Sequence, residues 1–323
     1  MDFLKIDSEK SFEKLSLELF NFHHRENENY RNFCDNINVD LSKINCIEKI
    51  PFLPIVLFKN KKISIKNINH EIIFESSGTG GLKSKHFIKD LELYNRSIEE
   101  CFKNFYGEIS DYVIIGVTPS VESKNNSSLI YMINHLIKKS NKKESQFLMN
   151  SDIFYSLTRK LESENKKYIV YGLSHALLDL LDGKDYNLKE SIFIETGGMK
   201  GLRDEIEKDK LHKIISDGFN TNNVHSEYAM TELLSQSYSS EKEVFMTPAW
   251  KKVLIKDFND PLKVKRNGRG FLNIIDLANK YSCPFISTED VGEVYENGNF
   301  KLFGRGSDAD LRGCNLMLGD QNN

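Results

Sequence analysis

The sequence predicts an α/β protein with mainly parallel sheets flanked by helices, followed by a small β-rich subdomain. Three observations carry this. The apolar runs 112–117, 168–172 and 191–195 read as buried strands, and helical patterns separate them. Strands alternating with helices make βαβ units, in which the strands lie parallel. After Pro248 the texture changes to closely spaced short strands, with Asn297-Gly298 as a hairpin turn signal. The predicted division is 1–245 for an α/β core and 246–323 for the β-rich subdomain.

Each element has its own warrant. Residues 8–23 carry Phe12, Leu15, Leu17, Leu19, Phe20 and Phe22, a mostly amphipathic helical pattern. Pro51 and Pro54 exclude a helix over 50–59 and predict an extended apolar segment. Ile72-Ile73-Phe74 is a strand end, and 90–105 and 128–138 are helical by pattern. Ser174 is placed to cap a helix over 175–181, and a further helix spans 202–216 before a short strand near 224–225. Behind Pro248, strands are expected over 250–255, 271–276, 291–295 and 300–303.

Composition narrows the class. The 323 residues can bury a large core, and Lys and Arg (44) nearly balance Asp and Glu (47), giving a net charge of -3. That balance disfavours a nucleic-acid partner. The five cysteines are scattered without a CxxC pair, which reads as reduced thiols in a cytoplasmic protein. The start, Met1-Asp2-Phe3-Leu4-Lys5, turns charged at once, and no window reads as a membrane span.

The richest chemistry lies in Glu75-Ser76-Ser77-Gly78-Thr79-Gly80-Gly81-Leu82-Lys83-Ser84-Lys85. Glycines allow close backbone approach, and hydroxyls and bare amides donate to anionic oxygens, so the segment suits phosphate. Lys85 can neutralise phosphate charge. The spacing fits neither the P-loop nor the GxGxxG fingerprint. Taken alone, such a cluster is also an ordinary turn.

Four downstream segments complement it: Thr196-Gly197-Gly198, Tyr228-Ala229-Met230-Thr231-Glu232, Ser287-Thr288-Glu289-Asp290 and Gly304-Arg305-Gly306-Ser307-Asp308. Each is expected where a strand ends, the usual ligand position in α/β proteins. Gly197 and Gly198 let a flat base approach, and Tyr228 can stack on it. Thr231 offers a hydroxyl to phosphate, and Glu232 is a hard oxygen ligand for Mg²⁺ shared with phosphate. Asp290 can accept from ribose hydroxyls, and Arg305 presents a planar fork of donors. Ordinary alternatives stand beside these. Tyr228 is also a plausible core aromatic, Glu232 a helix-start charge, Asp290 with Arg305 a surface pair and Lys85 a solvated lysine.

This order of segments resembles the adenylate-forming superfamily. Ser76 to Gly81 is similar to its phosphate loop, with Gly80 where threonine or serine is commoner. Tyr228 to Glu232 resembles Tyr-Gly-x-Thr-Glu with alanine for glycine, and Thr288-Glu289-Asp290 resembles Thr-Gly-Asp. Gly304-Arg305 followed by Asp308 resembles Gly-Arg-x-x-Asp. Residues 50–59, Glu195-Thr196-Gly197-Gly198-Met199-Lys200 and Asp310-Leu311-Arg312-Gly313-Cys314 narrow the likeness to the LuxE-type acyl-protein synthetases. The resemblance implies the fold of the superfamily's N-terminal domain without its mobile C-terminal domain. It also implies ATP and Mg²⁺ as cofactors and a carboxylic, fatty acid as substrate. The acid is activated as acyl-AMP and then passed to Cys314, with an acyl-accepting reductase or carrier protein as partner. Thr231 and Lys85 take catalytic roles with Cys314. Outside that context a lone cysteine is more often a small buried hydrophobe. Two other functions stay open: a CoA ligase related to phenylacetate–CoA ligases, and an inert nucleotide-binding subunit.

Overall fold

A computed structural model describes residues 2–77, 81–119, 126–197, 206–240 and 243–306. The chain divides into two compact units. One comprises the described residues of 1–70, 86–89 and 246–323, and the other those of 71–85 and 90–245.

The second unit is built on a sheet whose strands run in the order Gln146–Phe147, Val113–Val117, Tyr168–Leu173, Ser191–Thr196, Val224–Tyr228, Ser237–Ser239. All neighbours are parallel except the last pair, where Tyr228 faces Ser237 in antiparallel register. Every residue of Val113–Val117 and Tyr168–Leu173 is buried, as expected of strands covered on both faces. Helices Leu91–Tyr106, Ser128–Ser140, Ser151–Ser163 and Lys208–Phe219 supply the covering layers. Asp90 caps the first of these through the Leu93 amide at 2.9 Å, and Asn150 caps the third through Ile153 at 3.0 Å. The core between strands and helices is filled by large groups, among them Phe154, Tyr168, Phe193 and Phe219; the last two rings stack 4.6 Å apart.

The first unit is antiparallel. Its strands run Phe300–Arg305, Phe285–Val294, Gly268–Asp276, Lys251–Lys256, Val264–Lys265, and Leu53–Pro54 joins Phe285–Val294 in parallel. Helices Glu9–Glu26 and Glu28–Asn36 belong to the same unit. Ser8 and Ser11 form a reciprocal capping box at the first helix. Asn27 ends that helix, and its side chain donates to the Ser282 carbonyl at 2.7 Å, tying helix to sheet. Tyr30, fully buried, donates to the Pro51 carbonyl at 2.7 Å.

Several expectations are corrected. The 50–59 segment is extended only through Leu53–Pro54; a short helix, Leu57–Asn60, follows, because beyond Pro54 every amide is again free to donate. Ser174 is the first residue of the helix Ser174–Asp179 and caps nothing. Its hydroxyl turns to a buried carboxylate instead. The helix expected from 202 runs Lys208–Phe219; 206–207 precede it, and 201–205 lie outside the described residues. The strand expected over 291–295 is the second half of Phe285–Val294, and an irregular register at Val291/Gly292 divides its pairing.

Candidate functional site

The described candidate residues fall into two groups, one in each unit. In the parallel-sheet unit, the glycine-rich segment is closed at its base. The Ser76 amide donates to the Ser84 carbonyl at 3.0 Å, and the Ser76 hydroxyl accepts from the Ser84 amide at 3.0 Å. That bond leaves the Ser76 hydroxyl hydrogen available to an acceptor. Ser77 is exposed, and Gly81 holds φ at +115°, a backbone state that side chains rarely adopt. Lys85 Nζ lies 3.9 Å from Glu75 Oε1 and is half exposed, so its charge faces solvent at the loop's foot. Gly78, Thr79 and Gly80 lie outside the described residues, as do Gly198 and Cys314.

Gly197 and Tyr228 sit at the C-terminal ends of adjacent parallel strands, paired through Glu195 and Ser226. Gly197 is exposed, with φ at +76°. The Tyr228 ring is 6% exposed and meets Phe245 edge-on, with centroids 6.0 Å apart. Past it the chain turns. The Leu233 amide donates to the Met230 carbonyl at 3.1 Å, and Thr231 and Glu232 lie in this turn, not at a helix start. The helix-dipole reading of Glu232 therefore lapses. The Glu232 side chain is buried, at 5% exposure, while Thr231 is half-buried. Among the described residues no cluster of three or more His, Cys, Asp or Glu can hold a metal. Glu232 can act on a divalent cation only if another molecule supplies most of the ligands.

Beneath this edge lies a residue that sequence reasoning misses. Glu195, with no exposure, accepts from Ser174 Oγ at 2.7 Å and Ser226 Oγ at 2.5 Å, and pairs with Lys208. His212 Nε2 is 3.4 Å from the same carboxylate and 2.9 Å from Ser226 Oγ. Burial by itself would raise the Glu195 carboxyl; the His212 bond, Lys208 and Ser226 outweigh it and hold the group at about 2. The signal in the sequence is an acid ending an otherwise apolar strand, Ile192-Phe193-Ile194-Glu195.

In the antiparallel unit, Asp290 and Arg305 are direct cross-strand partners. Arg305 Nε lies 3.4 Å from Asp290 Oδ1, and the two differ sharply in exposure: 80% for the arginine side chain and 10% for the aspartate. Thr288 fixes the aspartate. Its hydroxyl donates to the Leu272 carbonyl at 2.8 Å and accepts from the Asp290 amide at 3.1 Å. This stretch lies inside a long strand, not at a strand end, a further correction; the bulge just after Asp290 gives the local break. The Gly306 amide donates to the Glu289 carbonyl at 3.0 Å. In the same unit a groove of about 1190 Å³ has Ile37, Ile44, Phe52, Phe258, Leu262 and Phe271 among its walls, with Thr288 and Glu289 also on its lining.

Three of the four described cysteines suit packing. Cys34, Cys101 and Cys283 are buried, and burial pushes the Cys34 thiol up to about 12 and the Cys283 thiol higher still. Such thiols are weak nucleophiles at neutral pH.

A family model described as acyl-protein synthetase, LuxE, matches residues 2–322. The chain belongs to the LuxE acyl-protein synthetase family. Membership bears out the ligase expectation over the inert subunit. Among LuxE-like relatives, a long-chain-fatty-acid–luciferin-component ligase of Aliivibrio fischeri is 25% identical over 320 residues, covering 88% of this chain and 79% of its own length. A protein of the same name from Vibrio harveyi is 21% identical over 324 residues, covering 93% and 85%. Among solved structures, a 2-hydroxyisobutyryl-CoA ligase matches with a TM-score of 0.66 at 12% identity, covering 92% of this chain and 68% of its own. ATP-bound MatB from Rhodopseudomonas palustris matches with a TM-score of 0.54 at 14% identity over 73% of this chain, which spans 48% of the MatB chain. The N-terminal domain of FACL13 from Mycobacterium tuberculosis gives 0.53 at 14% identity, covering 75% of this chain and 63% of its own. These likenesses establish the expected adenylate-forming fold. Among the described residues no helix is long and apolar enough to cross a membrane.

Proposed function

We propose that this LuxE-family chain uses ATP and Mg²⁺ to activate a long-chain fatty acid as acyl-AMP, then passes the acyl group to Cys314 and onward to a partner protein, such as a reductase, in the cytoplasm. The observation that carries this reading is the family match over residues 2–322. The names of the two bacterial relatives point to the fatty acid, and the ATP-bound MatB fold points to the nucleotide.

The chemistry runs in two displacements. A carboxylate oxygen attacks the α-phosphorus of ATP, forming the mixed anhydride and expelling pyrophosphate. The Cys314 thiolate then attacks the acyl carbon, a thioester forms and AMP leaves with the bonding electrons. Both steps build negative charge on phosphate oxygens, which fixed donors stabilise best where water is excluded. Ser76, Ser77, Gly78, Thr79, Gly80 and Gly81 would supply hydroxyl and amide donors, with Thr231 and Lys85 beside the phosphates. Gly197, Gly198 and Tyr228 would hold the base, and Asp290 with Arg305 the ribose. Glu232 would help to hold Mg²⁺, whose charge neutralises the pyrophosphate leaving group.

The deciding experiment follows isotope from pyrophosphate into ATP across a panel of saturated fatty acids, then looks for hydroxylamine-sensitive acyl label on the protein. Acid-dependent exchange with label that vanishes in Cys314→Ser is the expected result. Thioester on free CoA with no protein label would overturn the protein-ligase reading, and no exchange with any acid would overturn adenylation itself.

A further inference from the structure

The Glu195 cluster does more than the sheet requires. The parallel strands already pair through their backbones, with Gly172, Glu195 and Ser226 in one register row. A carboxylate taken wholly out of water is an expensive way to add stability, and apolar replacements at such sites are often neutral or better. What the carboxylate adds is geometry. Ser174 starts the helix that leaves Tyr168–Leu173, and Ser226 stands two positions before Tyr228. One side chain therefore joins the C-terminal ends of three neighbouring strands, through contacts of 2.7 Å and 2.5 Å. The Ser174 hydroxyl is also 3.3 Å from the Thr196 carbonyl, immediately before Gly197. Lys208 and His212 reach the same carboxylate from the Lys208–Phe219 helix, so that helix is held as well.

We propose that Glu195 is a positioning residue of the nucleotide site, fixing the turn that opens at Thr196-Gly197 against the strand end that carries Tyr228. The inference rests on the adenylation reading, since it takes Gly197 and Tyr228 as the groups that hold the base. Glu195 itself is too deep to touch ligand. Its effect is on how well the binding surface is ordered before ATP arrives, and pre-ordered sites bind more tightly because less freedom is lost on binding.

The test uses the full chain and reads ATP binding separately from turnover. Glu195→Ala should raise the KM for ATP at least tenfold in pyrophosphate exchange while the KM for the acid moves less than twofold. Glu195→Gln keeps an oxygen for one serine hydroxyl and gives the other an amide to accept from, and should recover part of the loss. Ser174→Ala and Ser226→Ala should each shift the KM for ATP in the same direction, which keeps the test open if Glu195→Ala does not fold. Calorimetric titration of ATP without acid supplies the second readout. If wild type binds ATP and Ser174→Ala, Ser226→Ala and, where it folds, Glu195→Ala all bind it equally well, or if only kcat and the active fraction fall, the positioning role is wrong and the adenylation reading survives. If wild type neither binds ATP nor exchanges, both fall together.

Discussion

Asp290 and Arg305 face each other across adjacent antiparallel strands, the aspartate nearly buried and the arginine almost wholly in solvent, with Nε 3.4 Å from Oδ1. An ion pair with one partner so exposed adds little stability, on the order of 0–1 kcal/mol. Its geometry suits capture better than support: an arginine fork standing in solvent beside a fixed carboxylate. Arg305→Ala is expected to leave the thermal midpoint within about 2 °C. It should lower kcat/KM for ATP by roughly tenfold or more, the loss of a charge-assisted contact. Thermal melts beside exchange kinetics check both halves.

Gly292 follows the bulge in the same strand. A Cβ there would overlap the Lys301 carbonyl oxygen on the neighbouring strand, with Leu272 Cδ2 at 3.1 Å. Backbone cannot yield as a flexible side chain would. Gly292→Ala should cost about 1–3 kcal/mol in urea unfolding and spread to Asp290 and Arg305 through the shared ladder. An unchanged urea midpoint would contradict the packing described.

Stability should fall on mild acidification. His23 is fully buried, and desolvation lowers it to about 4 from an ordinary 6.5, against the opposing bond to the Lys280 carbonyl at 3.0 Å. The folded state thus holds His23 neutral while the unfolded chain takes up a proton between those two values. Stability is present above pH 6.5 and is lost as pH falls towards 4, by up to about 3 kcal/mol. His225, lowered to about 4 chiefly by burial, acts in the same window. Urea midpoints at several pH values for wild type and His23→Gln test this, the variant giving a shallower slope.

Glu195 predicts a second, lower transition. Its carboxyl stands at about 2 against an ordinary 4.5, so its contribution is intact above pH 4.5 and fades below. Glu195→Gln should flatten the profile below pH 4.5 and leave the histidine-driven slope above it unchanged.

Cys314→Ser separates the two chemical steps. Exchange of pyrophosphate into ATP should stay within about twofold of wild type, because no thiol takes part in the first displacement. Acyl label on the protein should disappear. Replacing Cys34 or Cys283, whose burial disfavours the thiolate, should leave the label intact.

The succession of strands and helices is readable in the sequence where burial is encoded directly. Val113–Val117 and Tyr168–Leu173 are continuous apolar runs because both faces are covered, and their shortness argues for strands over buried helices. The reading failed where one side chain had two possible partners. Ser174 has the look of a cap, yet a carboxylate twenty-one positions away takes its hydroxyl, and that carboxylate is invisible to any local rule. It also failed at Thr288 to Asp290, where a bulge inside a long strand imitates a strand end. Glycine and hydroxyl segments marked the candidate residues because backbone approach needs those residue types. The support beneath them, at Glu195, Ser226 and His212, is assembled from separate strands and a helix, and only the fold brings it together.

The double clasp between Ser76 and Ser84 has a practical corollary. Because Ser76 and Ser84 are tethered to each other, Ser77 and Leu82 can be exchanged without opening the stem, whereas a side chain at Gly81, at φ +115°, would strain it. Libraries placed at Ser77, Leu82 and Lys83 would therefore vary the hydroxyl and ammonium groups beside the clasp while sparing the scaffold beneath it.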